Sequence, residues 1–490
     1  MRRISFAQFT ASSLLFALFF IALAASAARR PRYGGRLTIE LQGRVTSLDA
    51  AKKQRSVADQ IAQERLLRLI ADRLIDLDQF GQPKSDLAVS WQHNEKFTRW
   101  EFHLRQNVNF QDATPLTPQA IADFLQAAHS NWRVTGASDS VIIESDSPSP
   151  KMLYVLAETR DSVLLHKPEG QILGTGPFRL ATWESGKHAV FAANDDYWGG
   201  RPFVDSIDVQ MGSTIRERMI DLDLDKADIA DIAPDRARID VSRGVRISAS
   251  DPTELLALVF TRSSVRATDI RIRHALSLAI DRGSLVDFVL QREGEPAGAV
   301  LPQWSSGYAF LFSTTADVAT ARQLASQISP ARALKLGYDA ADPTERMLAE
   351  RIAVNAQAAG ILISMRPIPV DSAAGATSHT ADHHLNVPEF DARLMLLRMP
   401  SPAPGAALED LLQTLVPLAD LDSSLAVPLD DPANPEQLYS RERAVTDTYE
   451  IIPLLHVPEV VGLSARVRNW MPARWGAWRL ADVWLDGAAQ

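Results

Sequence analysis

Several groups of residues in this chain have types and spacings that chemistry uses. His379, Asp382, His383 and His384 lie together in the segment HTADHH. Imidazoles and a carboxylate can hold Zn²⁺, Ni²⁺ or Cu²⁺, so His379, His383 and His384 are candidate metal ligands. The surrounding stretch, Asp371 to His384, is small and polar, and a solvated loop is the simpler explanation. Gly174-Thr175-Gly176 resembles the opening of a phosphate-cradling loop. That chemistry needs G-x-G-x-x-G between a strand and a helix, so that backbone amides meet the pyrophosphate. Here Pro177, the next residue, has no amide hydrogen, and Arg179 occupies the last glycine position. The following FRLATWESGKHAVFAAN alternates and breaks at Glu184-Ser185-Gly186-Lys187, the pattern of a hairpin. A backbone turn is the better reading of these glycines.

Aromatic and acidic clusters are further candidates. Asn469 to Leu485 holds four of the 10 tryptophans. Trp470, Trp475 and Trp478 could pack on an apolar or sugar ligand, although such tryptophans more often fill a core. Trp304 and Tyr308, in LPQWSSGY, could line a cleft or close a loop. In Asp221 to Asp231 the acids alternate with apolar residues, which suggests a solvated helix or strand edge rather than a cation site. No nucleophile elbow, H-E-x-x-H or P-loop pattern occurs.

The elements that must position these residues alternate along the chain. Val57 to Asp78 has helical spacing, and Arg99 to Phe110 alternates as strands do. Thr117-Pro118 caps a helix running to Ala128. Asp139 to Leu164 suggests two short strands and a brief helix. Arg218 to Asp235 reads as helix, turn and buried strand, and Asp269 starts a strongly periodic helix. Ala333 to Tyr338, Thr344 to Gly360 and Ile361 to Met365 form a strand–helix–strand unit. Interleaved strands and helices predict an α/β fold.

With 490 residues the chain can build two or three domains. Its net charge of −9 disfavours nucleic acid as a partner. Arg2 and Arg3, the apolar run Leu14 to Leu23 and Ala25-Ser26-Ala27 are the parts of a secretory signal peptide over residues 1–27. The run is too short for a comfortable membrane span. There is no cysteine, which excludes thiolate chemistry and an N-terminal lipid anchor on cysteine. The expectation is a freely soluble periplasmic protein.

Several segments, in order, resemble one family: the extracellular solute-binding proteins of family 5, receptors of ABC importers for peptides, nickel and related solutes. GGRLTIELQGRVTSLDA resembles its first strand and T-LDP loop, with Ala50 in place of proline. LAVSWQHNEKFTRWEFHLRQNVNFQDATPLTPQAIADFL resembles its most recognisable block, with Ala113 replacing a glycine. GTGPFRLATWESGKHAVFAANDDYWGGRP matches its GTGPY…YWGG-P run, and DIRIRHALSLAIDRGSLVDFVL its second-lobe helix. The match reaches from about residue 34 to 300 and then weakens.

The resemblance implies two lobes that close on a ligand about a hinge: a class II periplasmic binding protein of the cluster C type, with a small extra subdomain in lobe I. It divides the chain into residues 33–49, 174–245 and 458–490 as the lobe I core, 50–173 as the extra subdomain and 246–457 as lobe II. The segment between Phe124 and Gly174 is short for the family. Peptide-binding members carry an acid for the peptide's amino group in a GW--D--DP segment; here Arg398 and Met399, then Ser401 and Pro402, stand there. An ammonium buried without a carboxylate costs much desolvation, so an ordinary peptide does not carry over. Arg398 could clamp a carboxylate or phosphate with its planar fork. The candidate ligand contacts are Gln42, Trp304, Tyr308, Arg398 and Trp475. The expected protein is a monomeric, cofactor-free receptor that passes a small-molecule or peptide ligand to an inner-membrane ABC permease. Rival readings are an exported hydrolase with a dispersed active site, which would turn its ligand over, and a degenerate member acting as a sensor or chaperone partner.

Overall fold

The computed structural model describes residues 30–487 except 51, 53, 168–170, 238–244, 329–331, 341, 369–389, 400, 420, 428 and 430–432. One 11-stranded mixed sheet runs through the molecule. Arg36–Leu41 lies at the centre of its first half, parallel to Ser206–Met211 on one side and to Ile229–Ile232 on the other. The hairpin Phe178–Glu184 and His188–Ala193 extends that half outward, with its turn at Glu184–Lys187 as the sequence predicts. The second half holds Ala392–Arg398, Leu334–Asp339 and Ile363–Ile368. The parallel unit around the helix Pro343–Ala358 is the strand–helix–strand unit read from the sequence.

Two long strands join the halves. Arg246–Phe260 and Ile451–Leu463 run antiparallel to each other along nearly their whole length. At one end Ile451–Leu463 pairs with Ile229–Ile232; at the other, Arg246–Phe260 pairs with Ala392–Arg398. Between these ends the ladder loses its register on both sides of Pro252, which stands opposite Pro458. Neither proline can donate a ladder hydrogen bond. The connection between the halves is therefore continuous in chain but locally weak in backbone pairing.

Four large hydrophobic cores follow this division. One is built on Leu37, Ile39, Phe178, Phe191 and Val209, and the helix Val57–Ile70 adds Leu66, Leu67 and Ile70 to it. A second belongs to a separate four-stranded antiparallel sheet, formed by Ala88–His93, Arg99–Leu104, Trp132–Gly136 and Ser140–Ser145, covered by the helix Pro118–Ala128. The other two lie on opposite faces of the second half, around Leu256, Leu258 and Phe260 and around Leu255, Ala257 and Val259. That alternation along one strand is what burial on both faces requires.

The helix expected over Val57 to Asp78 ends at Ile70, and Ile75–Leu77 is a strand. The cause is the Gly174-Thr175-Gly176 turn. Gly176 N–H donates to the Ile70 carbonyl at 3.0 Å, closing the helix end. A Cβ on Gly174 would lie 1.9 Å from that carbonyl oxygen, so this close backbone approach admits only glycine. Asp72, just beyond, is buried and accepts from Thr175 Oγ1 at 2.9 Å, Trp198 Nε1 at 2.8 Å and Tyr197 Oη at 3.1 Å. The two ends of the glycine–aromatic stretch are thus tied to one carboxylate. They are structural, as the sequence reading preferred.

Candidate ligand cleft

Between the two halves lies an open cleft of about 1880 Å³. Its walls come from the helix Val57–Ile70, the Ile215–Asp223 helix, the start of the Pro343–Ala358 helix and the Pro404–Ala419 helix. Its floor is made by the crossing strands and by Ala392–Arg398.

The floor carries a buried ion network. Arg65, on the inward face of the Val57–Ile70 helix, reaches Asp231 at 2.5 Å and Glu459 at 2.8 Å. Arg398, from the second half, reaches Glu64 at 3.0 Å and also pairs with Glu459. Glu459 therefore sits between two arginines contributed by opposite halves. Burial alone would raise the Glu459 carboxyl, but Arg398 and Arg65 hold it below its usual value. Burial alone would lower Arg398, but Glu459 and Glu64 hold its charge firmly. The Arg65 guanidinium also lies over the Trp478 ring at 3.8 Å, and Arg68 stacks over Trp475 at 5.0 Å.

One acid of the floor stands outside these pairings. Glu254 lies directly opposite Arg398 in the sheet register and is only 7% exposed. Burial, and then the neighbouring Glu459, push its carboxyl up to about 8.

The sequence candidates divide among three places. Gln42, Arg398 and Trp475 line the cleft. The Gln42 backbone N–H donates to Asp231 at 2.9 Å, so the residue is fixed beside the network. Trp304 lines a smaller pocket of about 230 Å³, which shares Tyr154 and Trp475 with the cleft. Its indole N–H donates to the Pro252 carbonyl at 2.7 Å. Tyr308 is 7% exposed and packs among Phe312 and Tyr439 in a core of the second half, away from both openings. His379, His383 and His384 lie outside the described residues. Among the described residues no group of three or more His, Cys, Asp or Glu could hold a metal.

Sequence reasoning missed Glu64, Arg65, Glu254 and Glu459. It also read the acidic run wrongly in part. Asp228 is fully buried and pairs with Arg466, accepts from Ser464 Oγ and caps the Thr38 N–H, and Asp231 belongs to the cleft network. The available signal was charge on the inward face of an amphipathic helix, at Glu64-Arg65.

Residues 82–395 match the model of the bacterial extracellular solute-binding proteins, family 5 Middle. Among curated proteins, the probable ABC transporter periplasmic-binding protein SapA of Escherichia coli K12 is 24% identical over 285 residues, 48% of this chain and 52% of that protein. The probable D,D-dipeptide-binding periplasmic protein DdpA of the same strain is 23% identical over 252 residues, 46% of this chain and 49% of that protein. The chain thus spans about half the length of the curated relatives it matches. Among solved structures, NikA from Brucella suis in complex with Fe(III)-EDTA superposes with a TM-score of 0.77 at 17% identity, covering 92% of this chain and 100% of that one. AppA from Bacillus subtilis in complex with a nonapeptide superposes at 0.73 and 15%, covering 93% and 100%. The fold is that of these two-lobed binding proteins.

Proposed function

The chain belongs to the bacterial extracellular solute-binding proteins of family 5, and from that premise we propose that it is a periplasmic receptor that encloses a solute by hinge closure and delivers it to an ABC permease. The observation that carries this reading is the cleft itself. It lies between two halves connected by two strands whose pairing is interrupted at Pro252 and Pro458. A weakly paired crossover lets one half rotate on the other with little loss of backbone hydrogen bonding. A ligand touching both halves is then bound only when they close, so its binding energy shifts the population toward the closed form.

The cleft volume of about 1880 Å³ is roughly twice that of the larger small-molecule pockets. That favours a ligand of several residues' size, peptide-like or a chelate, with bridging water. The named relatives include a D,D-dipeptide-binding protein and the solved neighbours hold a nonapeptide and Fe(III)-EDTA, a range that fits such a space. Gln42, Arg398 and Trp475 are proposed as cleft contacts, with Trp304 at the adjoining pocket. Arg398 already has two carboxylates, so it acts on a ligand through Glu64 and Glu459 rather than as a free anion clamp.

The lobe I core of residues 33–49, 174–245 and 458–490, the extra subdomain 50–173 and lobe II 246–457 are proposed as the mechanical units. The Val57–Ile70 helix moves with the first core, on which it packs. Binding without bond-making, a mature chain lacking residues 1–27, and a monomer are part of the same reading. The test is saturable binding of a solute that is recovered chemically unchanged, accompanied by a fall in radius of gyration. Turnover of the solute would favour a hydrolase instead.

A further inference from the structure

We propose that the ion cluster joining Lys151, Glu158 and Arg160 of the first half to Glu409 and Asp410 of the second is a proton-operated latch, which engages by taking up a proton and parts as that proton leaves. This rests on the two halves moving about the crossing strands.

The cluster is built on well-packed parts of both halves. Lys151 and Glu158 flank the short helix Met152–Val155, whose Met152 and Val155 belong to the core of the four-stranded sheet. Glu409 and Asp410 lie on the Pro404–Ala419 helix, whose Leu408, Leu411 and Leu412 belong to a core of the second half. Lys151 pairs with Glu409 across the division, and Glu409 also accepts from the Leu429 N–H at 3.2 Å. Glu158, Arg160 and Asp410 line the cleft. This is a second ion-pair crossing between the halves, made by other residues than the Arg398 pairs of the floor. Its members meet only while the halves stand together, so the cluster senses the hinge.

The cluster holds more acid than base. Glu158 holds Arg160 at 2.7 Å, and Glu409 holds Lys151. Asp161, also buried, pairs with His129 at 2.6 Å. Asp410 is left over: its Oδ2 is buried and has no hydrogen-bond partner among the described residues. The groups facing Glu158 are Lys151, Arg160 and Asp161 of its own segment and Asp410 opposite. Those facing Asp410 are Arg160, Lys151 and Glu158. The Val57–Ile70 helix packs against Thr159–Asp161, and its charges are engaged elsewhere. Asp59 accepts from the Arg44 N–H, Glu64 pairs with Arg398, Arg65 with Asp231 and Glu459, and Arg68 with Asp76. Two carboxyl groups brought together with too few cations share one proton. Burial pushes Glu158 up to about 8 against the pull of Arg160, and Asp410 adds to the rise. Burial raises Asp410 as well. With the halves parted, water reaches both acids and they ionise in the ordinary carboxylate range. Engagement therefore takes up about one proton, and its equilibrium constant falls by up to about tenfold for each pH unit from about 5 to about 8.

The experiment reads the distance between the halves directly. The chain has no cysteine, so Ser138→Cys and Ser440→Cys, both at exposed positions and on opposite halves, give a unique pair of spin labels. Distance distributions are recorded on the full chain, stripped of solute, across neutral pH. The expected result is a near and a far population, whose ratio falls by about tenfold or more between about pH 6 and about pH 8. Glu158→Gln removes the surplus acid and frees Arg160 for Asp410, so the near population should persist at alkaline pH and the slope should vanish. Asp410→Asn should do the same through the other acid. Lys151→Met leaves Glu409 buried and unpaired, and should enlarge the far population by about tenfold or more at every pH. Glu442→Gln, at a buried acid within the second half, should shift the melting curve and leave the distances alone. Two populations that ignore pH overturn the latch and leave the hinge intact, as do wild-type slopes in both Glu158→Gln and Asp410→Asn. A slope lost equally in Glu442→Gln overturns it too. A single distance at every pH contradicts the latch, and the hinge is then judged separately, by whether solute carried from the cell envelope changes that distance.

Discussion

Arg398 and Glu64 meet across the cleft at 3.0 Å, one from the last strand of the second half and one from the Val57–Ile70 helix on the first core. Together with Glu459 they join the two halves at the cleft floor. Removing one member of a buried pair leaves the other charged and unsatisfied, at a cost of about 3–5 kcal/mol. Arg398→Met is therefore expected to lower unfolding free energy by about that amount, measured by urea titration. Glu64→Gln should cost distinctly less, because Arg398 keeps Glu459.

Gly174→Ala tests the turn that ends the first helix. The added methyl would overlap the Ile70 carbonyl and push the turn away from Asp72. A loss of about 1–3 kcal/mol is expected from overpacking at a rigid site. Trp198→Phe removes one of the three donors to buried Asp72 and should cost about 1–3 kcal/mol. A wild-type melting curve for both variants would contradict the structural role assigned to the glycine–aromatic stretch.

Stability should fall as pH rises from about 4.5 to about 8. Burial pushes Asp86 and Glu158 up to about 8 and Glu345 and Glu442 up to about 7, as it does Glu254 to about 8. Each of these acids holds its proton more tightly folded than unfolded. The stabilisation is complete below the unfolded value and is lost as pH climbs through the folded one. Buried His456 works in the opposite sense, pushed down to about 4, so its contribution is lost on acidification below about 6.5. A thermal midpoint that declines from about pH 5 towards pH 8 and levels off above that is the expected contribution of these acids. Glu442→Gln should flatten that decline.

The crossing strands should not exchange their amide hydrogens uniformly. Residues 255–259 and 451–456 form a ladder with a single register shift, at Leu256–Ala257, whereas 249–254 and 457–460 hold the two shifts that flank Pro252. Native-state hydrogen exchange is expected to be at least tenfold faster at the measurable amides around the prolines, and to slow there when ligand closes the cleft. Uniform protection along both strands would contradict a hinge at this place.

Much of the fold was legible because its signals are local. Thr117-Pro118 and Asp269 announce helix starts and cap them as expected, and Glu184–Lys187 marks its own turn. The end of the Val57–Ile70 helix was not legible, since residues more than 100 positions away set it. The cleft floor was hidden for the same reason. Arg65 finds its partners 166 and 394 residues further along the chain, and Glu254 is significant only because of what Arg398 and Glu459 do beside it. Trp304 and Tyr308 lie in one short sequence segment but part company in space: Tyr308 joins a core and Trp304 a pocket wall. Aromatic type alone does not distinguish those fates.

The most direct test of the proposed receptor role is native mass spectrometry of the chain, extracted gently from the cell envelope. The account predicts a closed monomer carrying one small solute, which denaturation releases chemically unchanged and which rebinds the stripped chain saturably. A chain that emerges empty and gains no mass on incubation with periplasmic small molecules, or one that converts the solute, would contradict it.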